Sequence, residues 1–549
     1  MVDEFSDYYT DFLDGSYDCV DRIVLNAYFQ LGQSPGGFRT WWRRLNGSDD
    51  DLDNAHLMRM AGRVSRRLRA HAKAHQIPVL DCQPGERKHE LAEQHLPKDP
   101  NFVGVFLILV SRAPAPVWDV HCSKQGKIVN LAKKHPLPYV NHYSFHILDA
   151  EWGHLTIKLS GHPPFGAQII LNGHEYVARL AQRADLRFAK EGNCFTEISD
   201  ARRLAPLADT LCSPEIIGRL TQVCERWIYS ACLCFALDLA EQDRTGFHYT
   251  YSVYQAEYSR NLLFTRGGEM EQVFQGVVER TRVRLDVKTL KTIFGTKRRP
   301  SRLRHKDDPR CEVVVERPRY DLTVFKVHFG KITAKCYTKG EHVLRIEIIV
   351  HNTKALRCGK LLLKFSEIVS RLKAILDRFL NVLRSIDVAC INPAQLDELT
   401  MPSQVGQTRV GGVDITKSRM RAVIEAVMGL ASAPHGFSVS EVAAQVQAIT
   451  GVPDRDYTPR QAAYDLKKLR GKDWVRKVES SRRYETVPAG LQAMTALFVL
   501  REKVIKPVLA GAGKPKNGRP LKHPNPIDVH YTALQIEMRQ LFQTIGIAV

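Results

Sequence analysis

The run Thr458-Pro459-Arg460-Gln461-Ala462-Ala463-Tyr464-Asp465-Leu466-Lys467-Lys468-Leu469-Arg470 carries the densest structural signal in this chain. Thr458 is a good N-cap and Pro459 fits the first turn, where its missing N–H costs nothing. The spacing therefore predicts a helix over Arg460–Arg470, with Leu466 and Leu469 inside and the basic residues outside. Upstream, Ser438-Val439-Ser440-Glu441 is a cap followed by an early carboxylate, ahead of a helix over Val442–Ile449. Met420–Leu430 reads as a helix before that. Downstream, Trp474–Val478 and Arg482–Val487 are two short strands joined by Glu479-Ser480-Ser481. Residues Lys417–Leu509 thus read as helix, helix, helix, hairpin, helix.

That order resembles a winged helix of the MarR type, over about residues 415–510. The resemblance implies that the third helix enters the major groove of double-stranded DNA and that the hairpin touches the backbone or minor groove. Carried onto this sequence, it places Arg460, Gln461, Tyr464, Lys467, Lys468 and Arg470 against DNA, with Lys477, Arg482 and Arg483 on the wing. The residue chemistry points the same way, since Arg and Gln read base edges and Lys clusters neutralise phosphates.

The rest of the chain reads as multidomain, mixing α/β and α+β parts. Residues 1–205 form an N-terminal α/β region. In it the strand-like runs Arg22–Tyr28, Ile77–Leu80 and Phe102–Ser111 alternate with helical runs Phe38–Leu45, Asp53–Gln76 and Gly85–Leu96. A β-α-β-α-β order predicts a parallel sheet. Tyr139–Leu171, broken by Gly and Pro, reads as antiparallel hairpins. Residues 206–280 are expected to be helical, with Cys224–Leu239 an interior helix. Residues 281–400 read as a basic arm, then an antiparallel sheet over Cys311–Glu316, Leu322–Val327, Ile332–Tyr337 and Leu344–Val350, backed by a long helix over Lys360–Ile386. Pro402–Gly412 is a linker to the 413–510 segment, and 511–549 is a basic strap with a terminal helix.

The 549 residues carry 79 Lys and Arg against 59 Asp and Glu, a formal charge of +20. The length excludes a small single-domain regulator, and the 44% of hydrophobic residues excludes wholesale disorder. No run approaches the roughly 18–20 apolar residues of a membrane helix, and the opening Met1–Phe5 is acidic where a secretory signal is basic. The 12 cysteines form no Cys-x-x-Cys pair. A cytoplasmic protein with reduced thiols, no membrane partner and a polyanionic partner is the expectation, with self-association left open. Three basic clusters besides the winged helix share the charge. Arg59, Arg63, Arg66, Arg67, Arg69 and Lys73 lie on one helix, just after Trp41, Trp42, Arg43 and Arg44, a mixture suited to RNA or single-stranded DNA. Arg280–Lys306 includes Lys297, Arg298, Arg299, Arg302 and Arg304, and the strap holds Lys514, Lys516, Arg519 and Lys522.

Catalytic signals are weaker. No P-loop, His-Glu-x-x-His or zinc-deaminase pattern is present. Asp81, Glu86, His89, Glu90 and Glu93 follow a strand and could hold Mg²⁺ or Mn²⁺ in a nuclease. His142, His146, His154, His162 and His174 do not show the one-residue spacing that two ligands on a strand need. Tyr254 and Tyr258, read as one helical turn apart, resemble the paired nucleophiles of rolling-circle initiators. Tyr337-Thr338-Lys339-Gly340 with Leu344-Arg345-Ile346-Glu347 is similar to phage and plasmid initiators, which implies Glu347 as a metal holder. The expected function is a nucleic-acid-binding protein serving a mobile element, replication or recombination. The competing classes are a metal-dependent nuclease or nickase and a ligand-responsive MarR-type transcriptional regulator.

Overall fold

A computed structural model describes residues 3–83, 85–123, 128–279, 310–316, 322–387, 393–453, 456–478, 481–501 and 526–544. Its centre is a mixed eleven-stranded sheet. In chain order the strands are β1 (Leu13–Phe29), β2 (Val79–Asp81), β3 (Gly104–Pro114), β4 (Tyr139–Asp149), β5 (Gly153–Ser160), β6 (Ala167–Asn172) and β7 (Tyr249–Phe264). Then come β8 (Arg310–Glu316), β9 (Leu322–Phe329), β10 (Ile332–Lys339) and β11 (Val343–Val350). Their spatial order is β8-β9-β10-β11-β7-β1-β6-β5-β4-β3-β2. One sheet therefore runs through the segments drawn at 1–205, 206–280 and 281–400.

The parallel sheet expected at the N-terminus is corrected by this order. Only β2 and β3 pair in parallel, and every other adjacent pair is antiparallel. The helices Pro35–Asn46 and Asn54–Ala74 are not a crossover between neighbours, because five positions separate β1 from β2 in the sheet. The helical middle is corrected as well. A helix does span Ile216–Trp227, but Tyr249–Phe264 is a 16-residue strand paired with β1 on one side and β11 on the other. The expected hairpins at 139–171 and the four strands at 310–350 form as read.

Period-two alternation divides the sheet's central strands into two unlike faces. On one face Ile23, Leu25, Ile157, Ile169, Phe145 and Ile147 are fully buried. Phe38 and Trp41 of the Pro35–Asn46 helix, and Leu57, Val64 and Leu68 of the Asn54–Ala74 helix, belong to the same core. Each such large side chain contributes about 1.5–3 kcal/mol on burial. On the other face Asn26, Tyr28, Thr156, Lys158 and Gln168 are half-buried and polar. A short helix, Lys88–Gln94, lies at the β3 edge, where Ala92 and Leu91 pack with Leu107 and Leu109 in a small separate core.

The long helix forms at Phe365–Asp387. It packs on β7 and β11 and reaches the C-terminal elements through the Pro488–Val499 helix. Arg378 fixes that junction, donating to Glu485 Oε2 at 2.8 Å and to the Pro434 carbonyl at 2.6 Å. Helices Ser418–Leu430, Val439–Thr450 and Pro459–Gly471 accompany a small three-stranded sheet in the order Phe437–Ser438, Arg483–Thr486, Val475–Lys477, whose first strand lies between the first two helices. The Pro402–Gly412 linker contains a hairpin, Ser403–Val405 with Thr408–Val410. Among the described residues no helix is long and apolar enough to cross a membrane.

Candidate nucleic-acid interface

The Pro459–Gly471 helix turns Ala462, Leu466 and Leu469 into the core. Asp465 is buried with them, accepting from Arg419 Nε at 2.8 Å and Tyr457 Oη at 3.0 Å. Arg460 and Tyr464 are exposed on the opposite side, and Lys467 and Lys468 are half-exposed. The Lys468 ammonium stands 5.1 Å from the centroid of the Tyr464 ring. Lys477 and Arg482 are exposed on the neighbouring hairpin. Two expected DNA contacts are otherwise engaged. The Gln461 side-chain carbonyl accepts from the Thr458 N–H at 2.7 Å and its hydroxyl at 3.1 Å, so this residue caps its own helix. Arg483 donates to the carbonyls of His435 and Gly436 at 2.8 and 2.7 Å and to Glu441 at 2.9 Å. The 403–410 hairpin packs on the same helix, with Ser403 and Val405 against Gly471. Half-exposed Arg470 lies at that end, while the first turns stay open.

The N-terminal basic cluster is only partly available. Arg59, Arg66, Arg67 and Lys73 are exposed on the Asn54–Ala74 helix. Arg63 is ion-paired with Glu241, and Arg67 comes within 3.8 Å of Asp238. Arg43 is exposed, and Arg44 donates to the Thr245 carbonyl at 3.3 Å. Trp41 and Trp42 do not serve as base-stacking platforms. They are 0% and 2% exposed, Trp41 packing edge-on to Phe29 and Phe247 while Trp42 Nε1 donates to Asp51 at 2.8 Å. With Phe38 and Leu45 they make the apolar stripe of their helix, a spacing legible in the sequence. Lys297, Arg298, Arg299, Arg302 and Arg304 lie outside the described residues.

The candidate catalytic residues are not brought together. Asp81 is exposed and receives Arg69 at 3.0 Å on both oxygens. Glu86 accepts from the Gln83 N–H at 2.7 Å, and Glu90 from Arg87 at 2.9 Å. Tyr254 and Tyr258 lie on β7, not on a helix. Tyr254 sits at a register shift opposite Val24 and Leu25, while Tyr258 is buried, donates to Asp18 at 2.9 Å and is pushed far up by burial and the Asp18 carboxylate. Four residues on a strand span about 13 Å, so the two hydroxyls cannot act at one phosphodiester.

Glu347 belongs instead to a buried network that no sequence motif announced. Arg345, fully buried, donates to Asp21 Oδ2 at 2.6 Å, Asn261 Oδ1 at 2.7 Å and Tyr337 Oη at 3.0 Å. Glu347 accepts from Tyr337 Oη and Lys335 Nζ, each at 3.0 Å. Asp21 Oδ1 receives Ser259 Oγ at 2.9 Å and lies 3.0 Å from His174 Nδ1. Burial alone would raise the Asp21 carboxyl, but Arg345 and His174 bring it below the ordinary carboxylate range. Cys19, Asp21 and His174 offer ligand atoms within 4.8 Å of one another. Both Asp21 oxygens are already engaged, Oδ2 by Arg345 and Oδ1 by Ser259 and His174. This network is an internal brace, and its sign in the sequence is charge set into apolar strand runs, as in Leu344-Arg345-Ile346-Glu347.

The open polar face of the sheet carries a cleft of about 590 Å³. Residues paired directly across antiparallel strands point to the same side. The register therefore lays Ser252, Asn26, Gln168, Lys158 and Ser144 in one row across β7, β1, β6, β5 and β4. Lys133 and Lys360 also line the cleft, and among the described residues no Asp or Glu does. His142, which lines it too, and His146 flank Ser144 on β4, pushed down to about 4 and about 3. Burial is the main cause, with Lys158 acting on the first and His154 on the second.

No protein-family model, curated protein or solved structure matches this chain.

Proposed function

We propose that this chain is a nucleic-acid-binding protein whose 413–510 segment acts as a winged helix on double-stranded DNA. The observation carrying this reading is one outward surface. Arg460, Lys467 and Lys468 lie on the third helix, Lys477 and Arg482 on the hairpin beside it, and none of the five forms an ion pair among the described residues. An Arg at the open first turns suits a base edge, while Lys477 and Arg482 suit phosphates. Exposed Arg59, Arg66 and Lys73 on the N-terminal body give a second place for DNA or RNA, as replication or recombination of a mobile element would need. Carboxylates paired to Arg69 and Arg87, and tyrosines about 13 Å apart along a strand, favour binding over cleavage.

A gel-shift titration against salt tests the reading. Arg460→Ala is expected to cost about 1–3 kcal/mol on the preferred sequence and relax the preference, while Lys477→Ala weakens all sequences equally and reduces the salt slope by about 1. Duplex affinity that is indifferent to salt and to both substitutions would overturn it.

A further inference from the structure

We infer that the cleft on the open sheet face is a nucleoside-phosphate site, taking one nucleotide unit with its base against Asn26 and Gln168 and its flanking phosphates at Lys158 on one side of that pair and Lys360 on the other, with Lys133 lining the same cleft. The inference takes the class of its ligand from the nucleic-acid reading above; the cleft and its cations stand without that reading.

Three observations converge. First, the charge is unbalanced. The three lysines have no carboxylate partner among the described residues, in a cleft that no Asp or Glu lines. Burial and the nearby Lys88 hold the half-buried Lys158 ammonium below its ordinary range. A buried cation is costly until it is paired. Arg63 and Arg69, elsewhere in the same body, already have carboxylates. Second, the floor displays a hydrogen-bonding pattern. Gln168 Nε2 donates to Asn26 Oδ1 at 3.0 Å. That bond orients both amides and leaves Gln168 Oε1 as an acceptor beside Asn26 Nδ2 as a donor, the pairing that reads a base edge. Third, size and shape suit one nucleotide. About 590 Å³ falls in the range of small-ligand sites. The half-exposed Tyr28 ring, 6.0 Å from Lys360 Nζ, offers a flat wall for stacking.

The test uses the full chain and fluorescence anisotropy with a labelled single-stranded oligo-dT of about ten nucleotides, AMP and inorganic phosphate serving as competitors. Lys158→Gln with Lys360→Gln is expected to weaken the oligonucleotide about a hundredfold, and Gln168→Ala about tenfold, while duplex binding through Arg460 stays unchanged. Competition by AMP identifies a free nucleotide as a ligand. A bound oligonucleotide that AMP does not displace identifies a strand, and both results support the site. Unchanged single-strand and AMP binding in the variants, with duplex binding intact, overturns this inference and leaves the winged-helix reading standing. Loss of duplex binding in Arg460→Ala alone bears only on that other reading. Should the double variant not fold, Lys133→Gln and Lys360→Gln carry the same test singly.

Discussion

Two groups of charged side chains lie on one sheet, and they differ in one respect. Around Arg345 every guanidinium nitrogen has a partner: Asp21, Asn261, Tyr337 and Glu347 surround it at hydrogen-bond distance. Around Lys158 the cations face a cleft that no carboxylate lines among the described residues. A buried charge with internal partners serves the fold, whereas a half-buried charge without them is poised for something that arrives from outside. The same distinction sorts the Pro459–Gly471 helix and the hairpin beside it, where Gln461 and Arg483 are internally engaged and Arg460 and Lys467 are not.

The largest effect that could break this comparison is in the buried network. Arg345→Ala strands Asp21 and Glu347 inside the sheet and is expected to cost about 3–5 kcal/mol, seen as a large fall in the urea midpoint. A midpoint close to wild type would show that the network braces nothing. Next is the pH dependence of stability. His142 and His146 fold neutral with pKa values pushed to about 4 and about 3, mainly by burial, from an ordinary 6.5. Between pH 6.5 and those values the unfolded chain binds protons that the folded chain refuses. Their contribution is therefore complete above pH 6.5 and is lost progressively as the pH falls through that window. His146→Gln should flatten the acid limb of a midpoint-against-pH plot, and an unchanged slope would refute buried neutral histidine there.

What could be read from sequence follows the range of the interactions involved. The elements between Lys417 and Leu509 were legible because their signals are local: the Ser438–Glu441 and Thr458–Gln461 boxes each close within three residues. The sheet order was not, because β1 meets β7 across contacts such as Asp21 to Ser259, 238 residues apart. Tyr254 and Tyr258 misled for a related reason, since a spacing of four marks one face in a helix and in a strand alike. The basic face of the Asn54–Ala74 helix was visible, but its partners Glu241 and Asp81 were not, and only they tell an engaged arginine from a free one.

Gln461 sharpens the comparison at smaller scale. If its amide is the cap, Gln461→Ala lowers stability by about 1 kcal/mol and leaves base preference intact; if it reads DNA, preference changes and stability does not. Paired melting and binding-site selection measurements separate the two.

The smallest effect concerns Lys158, and it has the opposite sign. Lys158→Met replaces the aliphatic stem with one an atom shorter and removes a half-buried charge that has no carboxylate partner among the described residues, so the folded chain should gain up to about 1 kcal/mol. A side chain maintained at a cost to stability is maintained for another reason, and the cleft in front of it supplies one. Nucleoside-phosphate affinity should therefore fall in the same variant whose melting temperature rises. A variant that loses stability instead would place Lys158 with Arg345, as a charge the fold itself requires.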